Sequence, residues 1–384
     1  MNLDDELVSE SFVKSGRTYL NNASSSLIPL NTMKAMTDFT MQYNTLGPDS
    51  LDFAAMLAEK NILLRKTLSK LLRCRPEEIV LTQSTTEGIN AVASGMSFPK
   101  NSNIIIRGTT HEHHSNYYPW LRLGRQVELR SLSVDQDGFF DMTQLQGFID
   151  KNTRLVALSH GLYNTGAILP AEQIGKMLKE KGIPYFLDAA QTVGCIGDYD
   201  FTKTGADFIA FNGYKWLCGP MGIGVLMCKK ESASLLEPMQ LAGESAMLYD
   251  TDKLAYKELP DRLQGGFRNF VAIVGLEASV SFLLHVGLDN IREKIIGLAD
   301  LLRQELAKIP GVTLYGPAER QKRTSIVSFS LVDRDPQEVV ESLEKQKIVL
   351  AVREISDKKI VRASPHFFNT ESEILATAGA IRKL

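Results

Sequence analysis

Lys215 sits where a sequence can do chemistry. The stretch Asp207-Phe-Ile-Ala-Phe-Asn-Gly-Tyr-Lys215-Trp-Leu-Cys-Gly-Pro220 runs an apolar, strand-like segment into a turn punctuated by Gly and Pro. A second apolar run, Tyr185-Phe-Leu-Asp188-Ala-Ala-Gln191, ends on an acid. A lysine amine can form a Schiff base, and a buried carboxylate can hold a pyridine-type nitrogen protonated. The pairing implies pyridoxal phosphate (PLP), with Lys215 moving protons at the substrate Cα once it is displaced.

Other residues could complete such a site, each with a plainer alternative. Ser84-Thr85-Thr86-Glu87 lies at a strand-to-helix turn and could bind phosphate, or be an ordinary N-cap. Asp188 alone would read as a cap, and His113 as a surface or capping histidine, unless its ring stacks on a cofactor. Gln191, one turn beyond Asp188, could reach a phenolic oxygen. Arg362 lies between Val361 and Ala363, where a guanidinium needs an anion: a substrate carboxylate or a structural ion pair. The run His111-Glu-His-His114 raises the question of a metal, but no Cys or carboxylate set completes a site, and none is expected.

The elements that must position these residues follow from hydrophobic periodicity. Strands are expected at 78–82, 103–107, 126–130, 154–160, 183–188, 207–211 and 222–228. Helices over 50–72, 88–96, 143–149 and 171–181 alternate with them. That order describes an α/β unit, a mostly parallel seven-stranded sheet between helices, with ligands beyond the C-terminal strand ends. After about residue 255 the pattern becomes α+β, with helices at 272–285, 288–308, 336–345 and 370–384 and short strands at 324–330 and 360–364. We expect a large domain over 17–255 and a smaller one from 1–16 and 256–384.

The 384 residues are 44% hydrophobic and 23% charged with a net charge of −2, which gives no reason to expect nucleic acid or an acidic membrane surface as partner. No apolar run is long enough to span a bilayer, and the acidic start lacks a signal-peptide core, so a cytoplasmic enzyme is expected. Cys74, Cys195, Cys218 and Cys228 have no metal-clip spacing.

Seven collinear motifs then carry a resemblance. They are Tyr19-Leu-Asn-Asn-Ala23, Thr82-Gln-Ser-Thr-Thr-Glu-Gly-Ile-Asn90, Glu112-His-His-Ser-Asn116 with Pro119-Trp120, and Ser159-His160. Asp188-Ala-Ala-Gln191, Gly213-Tyr-Lys215 before Gly219-Pro220, and Arg362-Ala-Ser364 before Asn369-Thr-Glu371 complete the set. Over nearly its whole length the chain resembles the class V aminotransferase and cysteine desulfurase family of fold-type I PLP enzymes. The resemblance implies that Lys215 is the Schiff-base lysine, Asp188 the ring-nitrogen partner and Gln191 the phenolic-oxygen contact. It makes His113 the stacking ring, with Thr85, Thr86, Asn212 and Tyr214 around the phosphate. Asn164, or its neighbour Tyr163, would face the cofactor. Arg362 would bind the substrate carboxylate, with Asn22 and Ala23 on the substrate side. It also implies a homodimer, with Gly266, Phe267 and Arg268 near the partner's phosphate site.

One departure shapes the functional expectation. Desulfurases carry a nucleophilic cysteine on a loop before the equivalent of Arg362, whereas here residues 352–360 are short and contain none. The expected function is therefore chemistry at the Cα of a small amino acid, either amino transfer or a cysteine or cystine C–S lyase reaction. An epimerase on the same scaffold is the alternative, and a non-catalytic PLP binder a remote one.

Overall fold

A computed structural model describes residues 5–108 and 111–384. Its centre is a seven-stranded sheet built from β1 (Ile79–Thr82), β2 (Asn103–Arg107), β3 (Glu128–Leu132), β4 (Thr153–Ser159), β5 (Tyr185–Asp188), β6 (Phe208–Asn212) and β7 (Gly224–Cys228). The spatial order is β1-β7-β6-β5-β4-β2-β3, and only β7 runs against the others. Strands β2, β6 and β7 are buried at every residue, as expected for near-continuous Ile, Val, Leu and Phe runs covered on both faces. One apolar cluster includes Leu68, Ile105, Leu187 and Leu276, and the other includes Ile89, Ile104, Trp120 and Phe186.

A second sheet, purely antiparallel, contains β8 (Val312–Tyr315), β9 (Val327–Leu331), β10 (Ala351–Ile355) and β11 (Lys358–Ala363) in the order β8-β9-β11-β10. It packs with the helices Leu288–Ala307, Pro336–Lys345 and Glu371–Ile381 around Leu302, Val327, Phe329 and Ile374.

Packing between the two sheets does not change at residue 255. The helix Phe270–Val286 rests on the helices Leu30–Leu46 and Leu51–Leu72 and feeds the larger core through Ile273, Leu276 and Leu283. At the start of the chain, Thr18–Tyr19 pairs in parallel with Ile348–Val349, and Leu20 is buried in the smaller core. Val8 and Phe12 go instead to the larger core, where Phe12 meets Phe282 and Phe367 edge-on.

Several elements match their sequence signals closely. Ser50 caps Leu51–Leu72 by accepting the Phe53 N–H at 3.1 Å, and Asp141 caps Met142–Phe148. The strand expected at 126–130 lies two residues later, at Glu128–Leu132. The helix Leu30–Leu46 and the hairpin Ala246–Asp250/Lys253–Tyr256 are not among the elements expected from the sequence. The helix starts after Pro29 with no side-chain cap, and its many Thr, Met and Asn residues blur the apolar stripe.

Candidate active site

The C-terminal ends of the parallel strands open onto one cleft. It is lined by Thr85, Thr86, His113, Ser115, Ser159, Gly161, Tyr163, Asp188, Ala190, Gln191, Asn212, Tyr214 and Lys215. Strand β1 leads to the Ser84 turn, β2 toward His113, β4 ends on Ser159, β5 on Asp188 and β6 on Asn212. Wider surface depressions exist, but the widest ones gather no such set. One of them, around Asp150, Arg154 and Lys181, lies at the opposite end of β4 beside its first residue, Thr153.

The Ser84 turn is a helix N-cap whose next two residues line the cleft. Ser84 is the N-cap of the helix Thr85–Gly95, its hydroxyl accepting the Glu87 N–H at 3.2 Å, while Thr85 and Thr86 face the cleft. The turn lies against β7 because position 224 has no side chain. A Cβ there would stand 2.6 Å from the Ser84 carbonyl carbon, which real contacts do not permit. From the neighbouring strand, Asn212 donates to the Thr85 hydroxyl at 3.0 Å, and its own amide oxygen is buried without a partner. Thr86 donates to the Ser115 hydroxyl at 2.9 Å.

Asp188 is 5% exposed. One carboxylate oxygen accepts the Ala190 N–H at 2.9 Å, and the other makes no bond among the described residues. Burial pushes its pKa up, the Ala190 N–H pulls it down, Glu112 pushes it up and Lys215 pulls it down. Lys215 makes no hydrogen bond through its amine to any described residue. Burial pulls its pKa down, Asp188 pulls it up, and Arg362 and Arg353 pull it down again. Part of its side chain reaches solvent through the cleft.

Gln191 is held at both ends of its amide, accepting from the Trp216 indole at 2.9 Å and donating to the Ala23 carbonyl at 3.0 Å. Its second N–H stays available to the cleft. His113 accepts the Ser115 N–H at Nδ1, 3.2 Å, which leaves the proton on Nε2. Burial, and then Lys215, pull its pKa down to about 3, so the ring is neutral across the ordinary pH range. Its edge meets Tyr163 at 5.0 Å and 89°.

Some expected residues stand elsewhere. Asn164 does not line the cleft, whereas Tyr163 does: Asn164 is fully buried, donating to the Glu354 carbonyl at 2.8 Å and accepting the Thr165 N–H at 2.9 Å. The expectation that Asn164 faces the cleft is therefore not met, and Tyr163 stands in the lining. Asn22 is buried too, bonded to the Ser364 carbonyl at 2.9 Å, and Ala23 offers only its backbone to Gln191 and Ser364. Their side chains do not reach the cleft, and the neighbours Asn21 and Ser24 hold Arg362 instead. Arg362 donates to the Tyr163 carbonyl at 2.7 Å, to Asn21 at 3.1 Å and to the Ser24 hydroxyl at 2.6 Å, and its Nε is buried without a partner. It forms no ion pair with any described carboxylate, so the structural-pair reading of Arg362 is not realised. Burial, and then Arg353, drive its pKa well below the guanidinium range.

Sequence reasoning assigns no role to Arg353 or Ser24, and Ser115 and Ser159 enter it only as parts of motifs. Arg353 lies in a stretch that reads as a loop and is in fact a tight hairpin. Ile355 pairs with Lys358 across the two-residue turn Ser356-Asp357, with Ser356 at φ 53°. Among the described residues no three His, Cys, Asp or Glu side chains are grouped to hold a metal, and no single helix is long and apolar enough to cross a membrane.

The four cysteines lie outside the cleft lining. Cys218 is fully buried behind the Lys215 turn, 3.4 Å from the Ser26 hydroxyl and 3.4 Å from His366 Nε2. Burial pushes the thiols of Cys74 and Cys218 to about 12 and that of Cys195 to about 11, and moves Cys228 the same way.

With this geometry in place, the sequence profile of the family described as Aminotransferase class-V matches residues 18–376. The chain belongs to this class V aminotransferase family. It is a PLP-dependent enzyme of fold type I. Within the family it is similar to a probable cysteine desulfurase of Methanothermobacter thermautotrophicus, 31% identical over 373 residues, covering 93% of this chain and 92% of that protein. A probable cysteine desulfurase of Pyrococcus abyssi is 31% identical over 382 residues, covering 95% of this chain and 94% of the other. The apo structure of a cysteine desulfurase from Thermococcus onnurineus superimposes with a TM-score of 0.92 at 28% identity, covering 100% of this chain and 98% of that one.

The chemistry of the cleft suits the family's cofactor. Asn212 brings a buried, unpartnered amide oxygen, Asp188 a carboxylate oxygen without a partner, and Lys215 an amine with none. A buried amide oxygen such as that of Asn212 is costly unless something polar meets it.

Proposed function

We propose that this class V enzyme is a C–S lyase: it removes a sulfur substituent from Cβ of a small amino acid without a protein persulfide. The hairpin formed by β10 and β11 carries this reading. Two residues join the strands, so the chain ahead of Arg362 has neither a loop nor a cysteine to present to a substrate sulfur. Cys218, buried and with its thiol pushed up, is poorly suited to stand in. Sulfur amino acids are the reasonable substrate class because the relatives carry the name cysteine desulfurase.

In this reading Lys215 would hold PLP covalently and Asp188 would face its ring nitrogen. Gln191 would donate to its phenolic oxygen, His113 would stack as a neutral ring, and Thr85, Thr86, Asn212 and Tyr214 would surround the phosphate. When bound, PLP supplies an electron sink for negative charge at Cα. Lys215, its amine favoured in the neutral form by burial, takes the Cα proton. Arg362 would hold the α-carboxylate, and Tyr163, whose ring meets His113 and whose carbonyl accepts from the Arg362 guanidinium, would flank the substrate. The Cβ–S bond then breaks and the electron pair leaves with sulfur.

Transamination uses the same residues and differs in needing a keto-acid acceptor. Epimerisation needs a second proton donor, and the candidates Tyr163 and Tyr214 both have phenols pushed up by burial, which weakens them as acids at neutral pH. A homodimer fits the loop at Gly266-Phe267-Arg268. Phe267 is fully exposed at its tip, while Arg268 donates back to the Leu81 carbonyl at 2.9 Å beside its own Ser84 turn. A division into a larger unit around the seven-stranded sheet and a smaller one around the antiparallel sheet is part of the same proposal.

The test is incubation with cysteine, cystine and a panel of other amino acids, following keto acid, sulfide and substrate chirality. Keto acid and sulfide formed without an added acceptor support the lyase. Product that requires a keto acid, or racemised substrate alone, would replace this reading with one of the other two.

A further inference from the structure

Behind the end of β4 lies a second cavity, of about 600 Å3, that the chemistry of the cleft does not use. Its floor is apolar, formed by Ile168, Leu169, Ile196 and Ile296. The rings of Tyr199 and His160 stand beside it, 5.6 Å apart and tilted by 44°. One wall is the first turn of the helix Ala171–Glu180, which starts after Pro170 with no side-chain cap. The leading N–H groups of such a turn favour an anion. The facing wall comes from the helix Leu288–Ala307 and the turn Arg320–Lys322. His160 joins this cavity to the cleft: its neighbours Ser159 and Gly161 line the cleft, and its own N–H donates to the Asp188 carbonyl at 2.8 Å. The two cavities lie back to back across one strand end.

Two side chains here lack the partners their chemistry calls for. His160 is 2% exposed. The Thr192 hydroxyl donates to the Ala189 carbonyl at 3.3 Å, so it accepts from His160 Nδ1 at 3.0 Å. That tautomer leaves a lone pair on Nε2, to which no described residue bonds. Arg292 is partly buried and forms no ion pair with a described carboxylate. Its Nη2 donates to the Arg320 and Arg323 carbonyls at 2.7 and 2.8 Å, and its Nη1 is buried without a partner. The acids nearby are answered by other groups. Asp300 pairs with Arg320 and Arg323, Glu293 lies 3.9 Å from Arg320, and Glu172 faces the Tyr199 hydroxyl. A guanidinium and an uncapped helix start call for an anion, Nε2 for a donor, and the floor for an apolar body. We infer that this cavity is a second ligand site, for a small aromatic carboxylic acid that carries one N–H or O–H donor. Its carboxylate goes to Arg292 and the helix start, its donor to His160 Nε2 and its ring to the apolar floor.

The test titrates the PLP-loaded protein by calorimetry with 4-hydroxyphenylacetate and indole-3-acetate. Their neutral amides, and phenylacetate, which lacks the donor, are the controls. Each acid is expected to bind at least ~10-fold more tightly than its amide, as a charge-assisted contact implies. 4-Hydroxyphenylacetate is expected to bind roughly 3- to 10-fold more tightly than phenylacetate, as one added hydrogen bond implies. Arg292→Gln should remove the first preference and His160→Phe the second. Arg362→Gln should leave both in place, which separates this cavity from the active cleft. No saturable binding of either acid up to about 1 mM overturns the inference. So does an acid-over-amide preference that survives Arg292→Gln or disappears in Arg362→Gln. Where His160→Phe does not fold, the wild-type preferences and Arg292→Gln, at a partly buried position, still decide it.

Discussion

The lysine end and the arginine end of the site are built on opposite terms. Around Lys215 the polar groups leave the ends of buried parallel strands and tie to one another: Asn212 to Thr85, Thr86 to Ser115, Gln191 to Trp216 and Ala23. The spare valences that remain are few and point at a cofactor. Around Arg362 the groups come from a two-residue hairpin and an N-terminal turn, and two cations share a serine with no acid between them. Parallel strand ends hold a constant machinery. On the proposed lyase reading, substrate choice would concentrate at the hairpin, whose residues 352–360 contain no cysteine.

The largest effect expected is at the lysine end. Lys215→Ala should lower kcat by about a thousandfold or more, since both covalent attachment and the Cα base are lost. Sodium borohydride should then fix no cofactor to the chain. At the arginine end, Arg362→Ala should reduce kcat/KM for amino acids by about 10- to 100-fold, mostly through KM, because a bound carboxylate loses its charged partner. Steady-state kinetics separates the two: a lysine-type collapse of kcat in Arg362→Ala would mean that the ends do not divide the labour.

A smaller effect is expected where the lysine end is most tightly built. Gly224→Ala should cost about 1–3 kcal/mol, since the new methyl meets the Ser84 backbone. Denaturant unfolding with and without PLP should show the loss growing in the presence of cofactor, because Thr85 and Thr86 shift with the turn. Equal losses in both conditions would uncouple the turn from the cofactor.

Acidification gives a further contrast. Burial pulls His366, beside Cys218 and Trp216, down to about 3 and His160 down to about 4. Both folded-state values lie below the unfolded value near 6.5, so the unfolded chain binds more protons as pH falls. Their contribution is complete above about pH 6.5 and is lost progressively toward pH 4. In His366→Gln the melting temperature should fall less between pH 7 and pH 4.5 than in the wild type. An unchanged slope would mean that His366 takes no part.

The lysine end is readable in the sequence because its signals are local. Apolar runs ending on Asp188 and before Lys215 mark strand ends, and Ser84 before Glu87 marks a helix start. The arginine end is only half readable. Arg362 is legible as a guanidinium in an apolar strand. Arg353 is not, since Arg353, Glu354, Asp357, Lys358 and Lys359 look like a solvated loop until the hairpin register pairs them. Asn164 and Asn22 are misplaced for a related reason. Motif position cannot say which of two adjacent side chains faces a cleft and which satisfies the backbone behind it. The helix Leu30–Leu46 carries neither a cap nor a clean apolar stripe to announce it.

The central claim is that sulfur leaves without a protein persulfide. The direct measurement is the carbon product formed from cystine, assayed together with the mass of the protein after reaction. We predict pyruvate, ammonia and released sulfane sulfur, with no added mass on Cys74, Cys195, Cys218 or Cys228, and turnover persisting in Cys218→Ala. With cysteine as substrate in the same assay, alanine formed in step with a persulfide on any of these cysteines would contradict it.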